Sequence, residues 1–470
     1  MKKLTGLIVL IFVSLSLFSH PWQPSHYVVI DTDAGIDDMR AISMLLASDD
    51  VQILGIIISG GALSPYDGYK KVKSMLNAYH HEGIPVAMNY NRRGSDMPVP
   101  LAVRWGNEDI PVPETNGFNT LCKNILSYRD KSFKLISLAS LNSADQLLST
   151  GILPADRLSE IIWSNNSLNN LDGFNAGIDI KSARGIIKGD VKLTVVGYPS
   201  SDFYDQSFLM RLQETKTPYA QKIFETAVSS PDLQNHTYAA RANDEMTAIY
   251  LFYPELFSNT AVKQHSFCKP LPGSDLKGAA LKILGGTDAR GLQTIKQLPA
   301  DPGFYQEDLG PFLDEIISKH GDEEWRAAVL TNEIHQHLGI YSIVGVKMGI
   351  RAREFFKVGV DQMKVVSYAG SEPPLSCLND GIQVSTGATI GHGLIEVQTE
   401  NTGPAVKFSY MGKSITIKLK DELAAELKVE LQDLVLVNGL DSDIYWELLR
   451  QRAILYWKNL DRNEIFEISE

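Results

Sequence analysis

Short runs of apolar residues alternate along the N-terminal part of the chain with stretches whose apolar positions recur every three to four residues. Tyr27–Ile30 is a β-branched run, and Asp38–Ala47 puts Met39, Ile42, Leu45 and Leu46 on one face of a predicted helix. Ile53–Ile58 reads as a buried strand, Tyr69–Tyr79 as a helix and Ile84–Met88 as a strand; Lys134–Leu138, Ile161–Trp163 and Leu193–Val196 continue the series. Strands that are apolar throughout are covered on both faces, so the pattern predicts an α/β fold: a mostly parallel sheet with helices on each side. In such sheets ligands sit beyond the carboxyl ends of the strands.

Two breaks interrupt the pattern. Gly94–Asn119 is rich in Pro, Gly and Asn and reads as a long loop of the functional kind. Leu298–Tyr305 carries Pro299, Pro302 and Gly303; a predicted helix over Asp308–Lys319 follows, stopped by Gly321. From Asp322 the character changes to a helical segment, a Thr/Gly-rich turn region and strands at Leu394–Val397 and Val406–Tyr410. We therefore expect one domain over 26–320 and a smaller α+β domain over 322–470. At the start, Lys2 and Lys3 precede an apolar run from Leu4 to Phe18 that is short for a bilayer span. Residues 1–19 are expected to be a secretory signal peptide, which implies a periplasmic or extracellular protein with no stable membrane span after cleavage; an uncleaved anchor is the alternative.

A length of 470 residues suits two domains. A net charge of −12 without a basic stripe excludes nucleic-acid polymers and anionic membranes as natural partners, and favours a small neutral ligand or a cation. The three cysteines, Cys122, Cys268 and Cys377, are an odd count and no disulfide scaffold.

The strongest local signal is Asp31-Thr-Asp33-Ala-Gly35-Ile-Asp37-Asp38, at a predicted strand-to-helix junction. Carboxylates held this close repel unless something positive sits among them, and a hard cation such as Ca²⁺ takes several carboxylates with carbonyls. Gly35 is expected to permit the tight turn. An EF-hand needs Gly at the sixth loop position and Glu at the twelfth; here Ile42 is twelfth, so that reading fails. A solvated acidic helix cap and a Mg²⁺ phosphoryl-transfer site stay open, although no P-loop is present.

A strand followed by D-x-D-x-G-x-D-D resembles the signature of the inosine–uridine nucleoside hydrolases, and the likeness runs from about Tyr27 to about residue 320. The resemblance implies that Asp33 is a calcium ligand and the general base for water, that Asp37 holds ribose hydroxyls, that Asp38 binds calcium and that Asp31 supports the site. It further implies a backbone carbonyl ligand at Asn142, in Leu138-Ala-Ser-Leu-Asn-Ser143, a sugar contact at Asn175 after Phe174, and a last calcium ligand at Asp244. Asn165 or Asn166 is a further ribose contact, with Asn166 preferred, and a turn role competes for each Asn. Three family residues are replaced: Glu before Phe-Asn by Gly173, with Asp172 one step away; Asn after the second strand by Ala62; and the His that protonates the leaving base by Asn243, which faces the substrate but has no proton to give. Trp105 stands where the family tends to have His, placed either to stack on a flat base or to pack in the core.

The C-terminal part has its own signature in Glu333-Ile-His335-Gln-His337-Leu338, predicted to open a helix with Gly345 and Gly349 as close-packing positions, and in Cys377-Leu-Asn-Asp380-Gly-Ile-Gln383-Val-Ser-Thr386-Gly-Ala-Thr-Ile-Gly-His392. Together these resemble the E-type protein family of formylmethanofuran dehydrogenase. That implies a Zn²⁺-type site at His335, His337 and Cys377, with His392 a looser addition, although the family's first Cys is Gly339 here. The sequence thus points to an exported, calcium-dependent hydrolase that cleaves the N-glycosidic bond of a small ribosylated substrate. A non-catalytic cation- and sugar-binding protein, and metal chemistry in the C-terminal domain, are the alternatives. The first resemblance also implies a homo-oligomer.

Overall fold

The computed structural model describes residues 24–470 apart from 91–102, 128–131, 152–153, 170, 172, 200–201, 230–239, 287–293 and 296. The leader at 1–19, Asp172 and the first part of the Gly94–Asn119 loop lie outside the described residues. Among those described, no helix is long and apolar enough to cross a membrane.

Eight strands form one sheet in the order β3-β2-β1-β4-β5-β6-β8-β7. They are β1 His26–Thr32, β2 Val51–Ile58, β3 Val86–Met88, β4 Phe133–Ser137, β5 Leu158–Ser164, β6 Leu193–Val196, β7 Phe257–Val262 and β8 His265–Pro270. All neighbours are parallel except the β7–β8 hairpin, which the pattern of apolar runs does not predict. Every residue of β2 is buried, as the apolar-throughout pattern requires. Alternate side chains serve two cores: Val28, Ile30, Ile56 and Ile58 pack on one face, Tyr27, Val29, Leu54 and Ile57 on the other. Strand order reverses on either side of β1, so the space beyond the ends of β1 and β4 is the switch point at which such sheets bind ligands. The helix Ile36–Ala47 is buried along its whole length, not on one face only. Other helices lie at its sides, so it behaves as an interior helix.

A second sheet of five strands runs β10-β9-β11-β12-β13, with β9 Lys364–Ser367, β10 Ile395–Val397, β11 Ala405–Tyr410, β12 Lys413–Leu419 and β13 Phe466–Ser469. Its core gathers Trp325, Val344, Met348, Phe408, Ile417 and Trp457. The helix Leu313–His320 packs into this second core through Leu313 and Ile316. His335 and His337 do not open a helix: Asp322–His335 ends at them, with Gln336 in the left-handed region at φ 65°. The following helix, Ile340–Phe356, crosses Leu378–Thr386 closely enough that a Cβ on Gly345 would lie 2.2 Å from the Leu378 carbonyl and one on Gly349 2.0 Å from Ser385 Oγ.

The two sheets are joined at the end of Ile340–Phe356. His81 reaches the Glu354 carbonyl through Nδ1 and the Tyr219 hydroxyl through Nε2, both at 2.7 Å. Arg351 pairs with Glu82 at 2.7 Å, and Lys357 donates to the Ser48 carbonyl.

Candidate active site

β1 delivers the acidic segment to the switch point. Asp31, opposite Ser137 of β4, turns into the interior and accepts from the hydroxyls of Ser59 at 2.5 Å, Ser143 at 2.8 Å and Ser137 at 3.3 Å. Burial pushes its carboxyl up to about 7 against the pull of those hydroxyls. Asp31 therefore fastens the end of β1 to its neighbours and supports the site from below.

The chain then turns. Ala34, not Gly35, takes the left-handed conformation, at φ 61°. Gly35 is needed for space: a Cβ there would lie 2.9 Å from Asp38 Oδ2 and 3.1 Å from Asp37 Oδ1. Asp33 accepts from the amides of Ala62 and Gly35. It also occupies room left by Gly61, whose Cβ would come within 2.0 Å of Oδ2. Burial is the main cause that raises its carboxyl to about 6, with Asp37 adding to it.

Asp37 and Asp38 occupy the first turn of the helix Ile36–Ala47. Asp38 accepts from Thr32 Oγ1 at 2.5 Å and from the Asp33 amide at 3.1 Å. Asp37 accepts from Asn243 Nδ2 at 2.9 Å, and Asp244 is the N-cap of the helix Glu245–Phe252. Asp37, Asp38 and Asp244 thereby bring one oxygen each within 4.8 Å of one another, all three buried. Burial first, and the neighbouring carboxylates next, push Asp38 and Asp244 well above the usual carboxylate range. Buried carboxylates crowded in this way suit a hard, oxygen-seeking cation. Arg40, on the same helix as Asp37 and Asp38, is committed elsewhere: it pairs with Glu245 at 3.4 Å, both side chains fully buried, and lies 3.9 Å over the Tyr204 ring, while Tyr204 donates to Glu245 at 2.8 Å.

The trio differs from the ligand set expected from sequence. Asp37, expected only at the sugar, joins the carboxylate group, because Asn243 draws it toward Asp244; Asp33 stands beside that group, held by backbone amides. The Asn142 side chain is engaged away from the trio, donating to Asp179 at 2.8 Å and accepting from Asn89. Asn175 spends its amide hydrogens on the carbonyls of Leu138 and Ser164, which ties β4 to β5. Asn166 accepts from the Tyr198 amide at 3.0 Å. Trp105 is fully buried in the hydrophobic core, so it packs and offers no face to a ligand. Sequence reasoning missed Arg40, Glu245 and Tyr204; an arginine among otherwise apolar helix positions was the available signal.

In the second sheet's region His335 Nδ1 meets Asp380 at 2.8 Å, and the His335 and His337 rings lie 4.2 Å apart. Burial, then His335, lowers the His337 pKa. Cys377 does not join them: among the described residues only Asp37, Asp38 and Asp244 form a group of three at metal-holding separation. Burial raises the Cys377 thiol to about 11, with Asp380 contributing. His392 faces Asp361 at 3.2 Å instead. The cysteines are all unpaired.

No curated protein matches the chain. Three solved structures share part of its fold. An inosine-uridine preferring nucleoside hydrolase from Bacillus anthracis is 12% identical over 56% of this chain and 99% of its own, with a TM-score of 0.46. A purine-preferring ribonucleoside hydrolase from Gardnerella vaginalis is 13% identical over 55% and 98%, at 0.45. A plant nucleoside hydrolase is 14% identical over 56% and 99%, at 0.47. Residues 334–466 match the family model described as FmdE, molybdenum formylmethanofuran dehydrogenase operon. Residues 28–298, the greater part of the chain, match the model of the inosine-uridine preferring nucleoside hydrolases, and the chain belongs to that family of hydrolases acting on N-glycosyl compounds.

Proposed function

We propose that the protein is an exported, calcium-dependent hydrolase that cleaves the N-glycosidic bond of a nucleoside or related ribosylated compound. The observation that carries this reading is the buried convergence of Asp37, Asp38 and Asp244 within 4.8 Å, at the switch point of the sheet. These three residues would hold the cation, with Asp33 alongside. A divalent cation supplies positive charge that acidifies a water molecule and orients it. Asp33, raised to about 6, takes the water's proton near neutral pH. Asp37 faces the sugar hydroxyls, and Asn175 holds the ends of β4 and β5 in register around them. Asn243 donates to Asp37 and is no proton donor to the leaving group at neutral pH, so a substrate whose leaving group departs as a stable anion or neutral base suits the site. The test is a panel of purine and pyrimidine nucleosides and ribosylated pyridines, assayed with calcium and with a chelator. Calcium-dependent release of base supports the reading. Binding of sugar and calcium without turnover would instead identify a binding protein.

A second metal reading rests on His335. Asp380 accepts from Nδ1, which leaves Nε2 as a lone-pair donor that is buried and has no partner among the described residues. With His337 beside it, this corner would hold Zn²⁺ or a similar transition metal. Metal analysis after mild dialysis tests that, and a content at background rejects it.

A further inference from the structure

Two helices bring the carboxylates of the site together, and repulsion works to part them. Asp37 and Asp38 sit in the first turn of Ile36–Ala47, and Asp244 caps Glu245–Phe252. When charged and without an ion between them, carboxylate oxygens within 4.8 Å of one another push these two helix ends apart. Just behind them the same two helices attract. Arg40 pairs with Glu245, the residue that follows Asp244, at 3.4 Å, and both side chains are fully buried. Arg40 Nη1 also donates to the Arg241 carbonyl at 3.4 Å, on the stretch of chain that leads to Asp244. That stretch is held again at Ala240, whose carbonyl accepts from the amides of Phe203 at 2.8 Å and Tyr204 at 3.0 Å. Tyr204 completes the group: its hydroxyl donates to Glu245 Oε1 at 2.8 Å, and the guanidinium lies 3.9 Å over its ring. Stability alone does not account for burying this pair, because well-packed apolar residues of similar volume serve a core as well or better. What the pair adds is a fixed separation between two helices that the carboxylates drive apart.

We infer that Arg40 is a positioning residue for the cation: through Glu245 and the Arg241 carbonyl it holds Asp244 at the distance from Asp37 and Asp38 that the ion needs. A site set in advance binds more tightly, since the ion does not have to draw the two helices together. The inference rests on the cation reading above and adds to it the device that prepares the site. Tyr204 acts through Glu245, by keeping that carboxylate turned toward Arg40.

Charge and position make opposite predictions for Arg40→Met. Loss of the guanidinium makes the surroundings of the site more negative, so charge alone would tighten calcium binding, or leave it unchanged where Glu245 takes up a proton. Loss of position weakens it. Arg40→Met combined with Glu245→Met removes one charge of each sign, so the net charge is unaltered and no carboxylate is left buried alone. The experiment titrates calcium into the full chain, stripped of metal with a chelator, and reads the Kd by calorimetry. Both variants are expected to bind calcium about tenfold to a hundredfold more weakly than the wild type. The calcium concentration for half-maximal nucleoside hydrolysis should rise by the same factor, while kcat at saturating calcium changes little. A merely structural role would give the double variant the wild-type Kd; that result, or tighter binding by Arg40→Met, overturns the inference. If neither variant folds, Tyr204→Phe decides: it keeps the ring under the guanidinium, removes the hydrogen bond to Glu245, and should weaken calcium binding, whereas an unchanged Kd overturns the inference. A wild-type protein that binds no calcium sinks the cation reading and this inference with it. Calcium binding that is indifferent to Arg40 sinks the inference alone.

Discussion

At the carboxyl edge of the large sheet, Asp37, Asp38 and Asp244 converge with burial and mutual repulsion both opposing their charge. At the corner of the smaller fold, the His335 and His337 rings lie 4.2 Å apart at a tilt of 39°, with Asp380 against His335 Nδ1, while Cys377 stays outside. An imidazole is neutral when unprotonated and tolerates burial without an ion. Crowded carboxylates do not; they need either a cation or protons. On the proposed reading the first corner would therefore gain stability from an ion, and the second would not. That contrast can be broken by experiment.

The largest effect is expected at Asp38. Calcium at about a hundred times its Kd stabilises a native state that alone binds it by about 2.7 kcal/mol. Chelation should therefore lower the midpoint of thermal unfolding, and Asp38→Ala should abolish that response. The same variant should lose hydrolysis by on the order of ten-thousandfold, about 5.4 kcal/mol. An Asp38→Ala protein that still gained stability from calcium would remove the contrast.

Next comes Arg40. Its ion pair with Glu245 links the helix bearing Asp37 and Asp38 to the helix that Asp244 caps. Arg40→Met leaves Glu245 buried beside the aspartates without its counter-charge, and should cost about 3–5 kcal/mol in denaturant unfolding. Arg40→Met combined with Glu245→Met should recover most of that loss, because both charges leave together. A double variant as unstable as the single one would mean the pair contributes through packing, not charge.

How far each corner was legible follows from the same contrast. The acidic block lies on adjacent positions of one strand-to-helix turn, so its crowding was visible in sequence, and the apolar-throughout strands disclosed the sheet that carries it. Asp244 entered through family resemblance, because a partner so far along the chain leaves no local spacing. The exchange of Asp33 for Asp37 in the trio was not legible; it turns on one hydrogen bond from Asn243 and two from backbone amides. Gly35 was read for a backbone angle when its use is space, and of the two roles left open for Trp105 the core one is found. The His335, His337 and Cys377 set was drawn from two separate segments, and only tertiary packing decides whether such groups meet.

The seam between the two folds gives a pH prediction of intermediate size. His81 is buried between Tyr219 and Glu354, with Tyr79, His80, Arg351 and Lys357 near it; burial first, and the Lys357 charge next, lower its pKa to about 3. Its folded value lies below the unfolded one, so the contribution is fully present above about pH 6.5 and is lost as pH falls, because the unfolded chain takes up the proton first. By pH 5 this one group should remove about 2 kcal/mol. His81→Gln should flatten that part of the stability profile between pH 7 and 5. An unchanged slope would show that other groups set the acid limit.

The smallest effect tests the second corner directly. Asp380 accepts from His335 Nδ1 and so fixes which nitrogen offers its lone pair. Asp380→Asn preserves size but lets the amide present a donor to the ring, which no longer selects that tautomer. Zinc affinity should fall by about tenfold, about 1.4 kcal/mol, read by competition with a chromogenic chelator. Calcium-dependent hydrolysis should be unaffected, since the aspartates that serve it lie on the other sheet. A parallel loss of hydrolysis would show that the two corners act on one another, and the division between an ion-dependent site and an ion-tolerant one would have to give way to a single coupled centre.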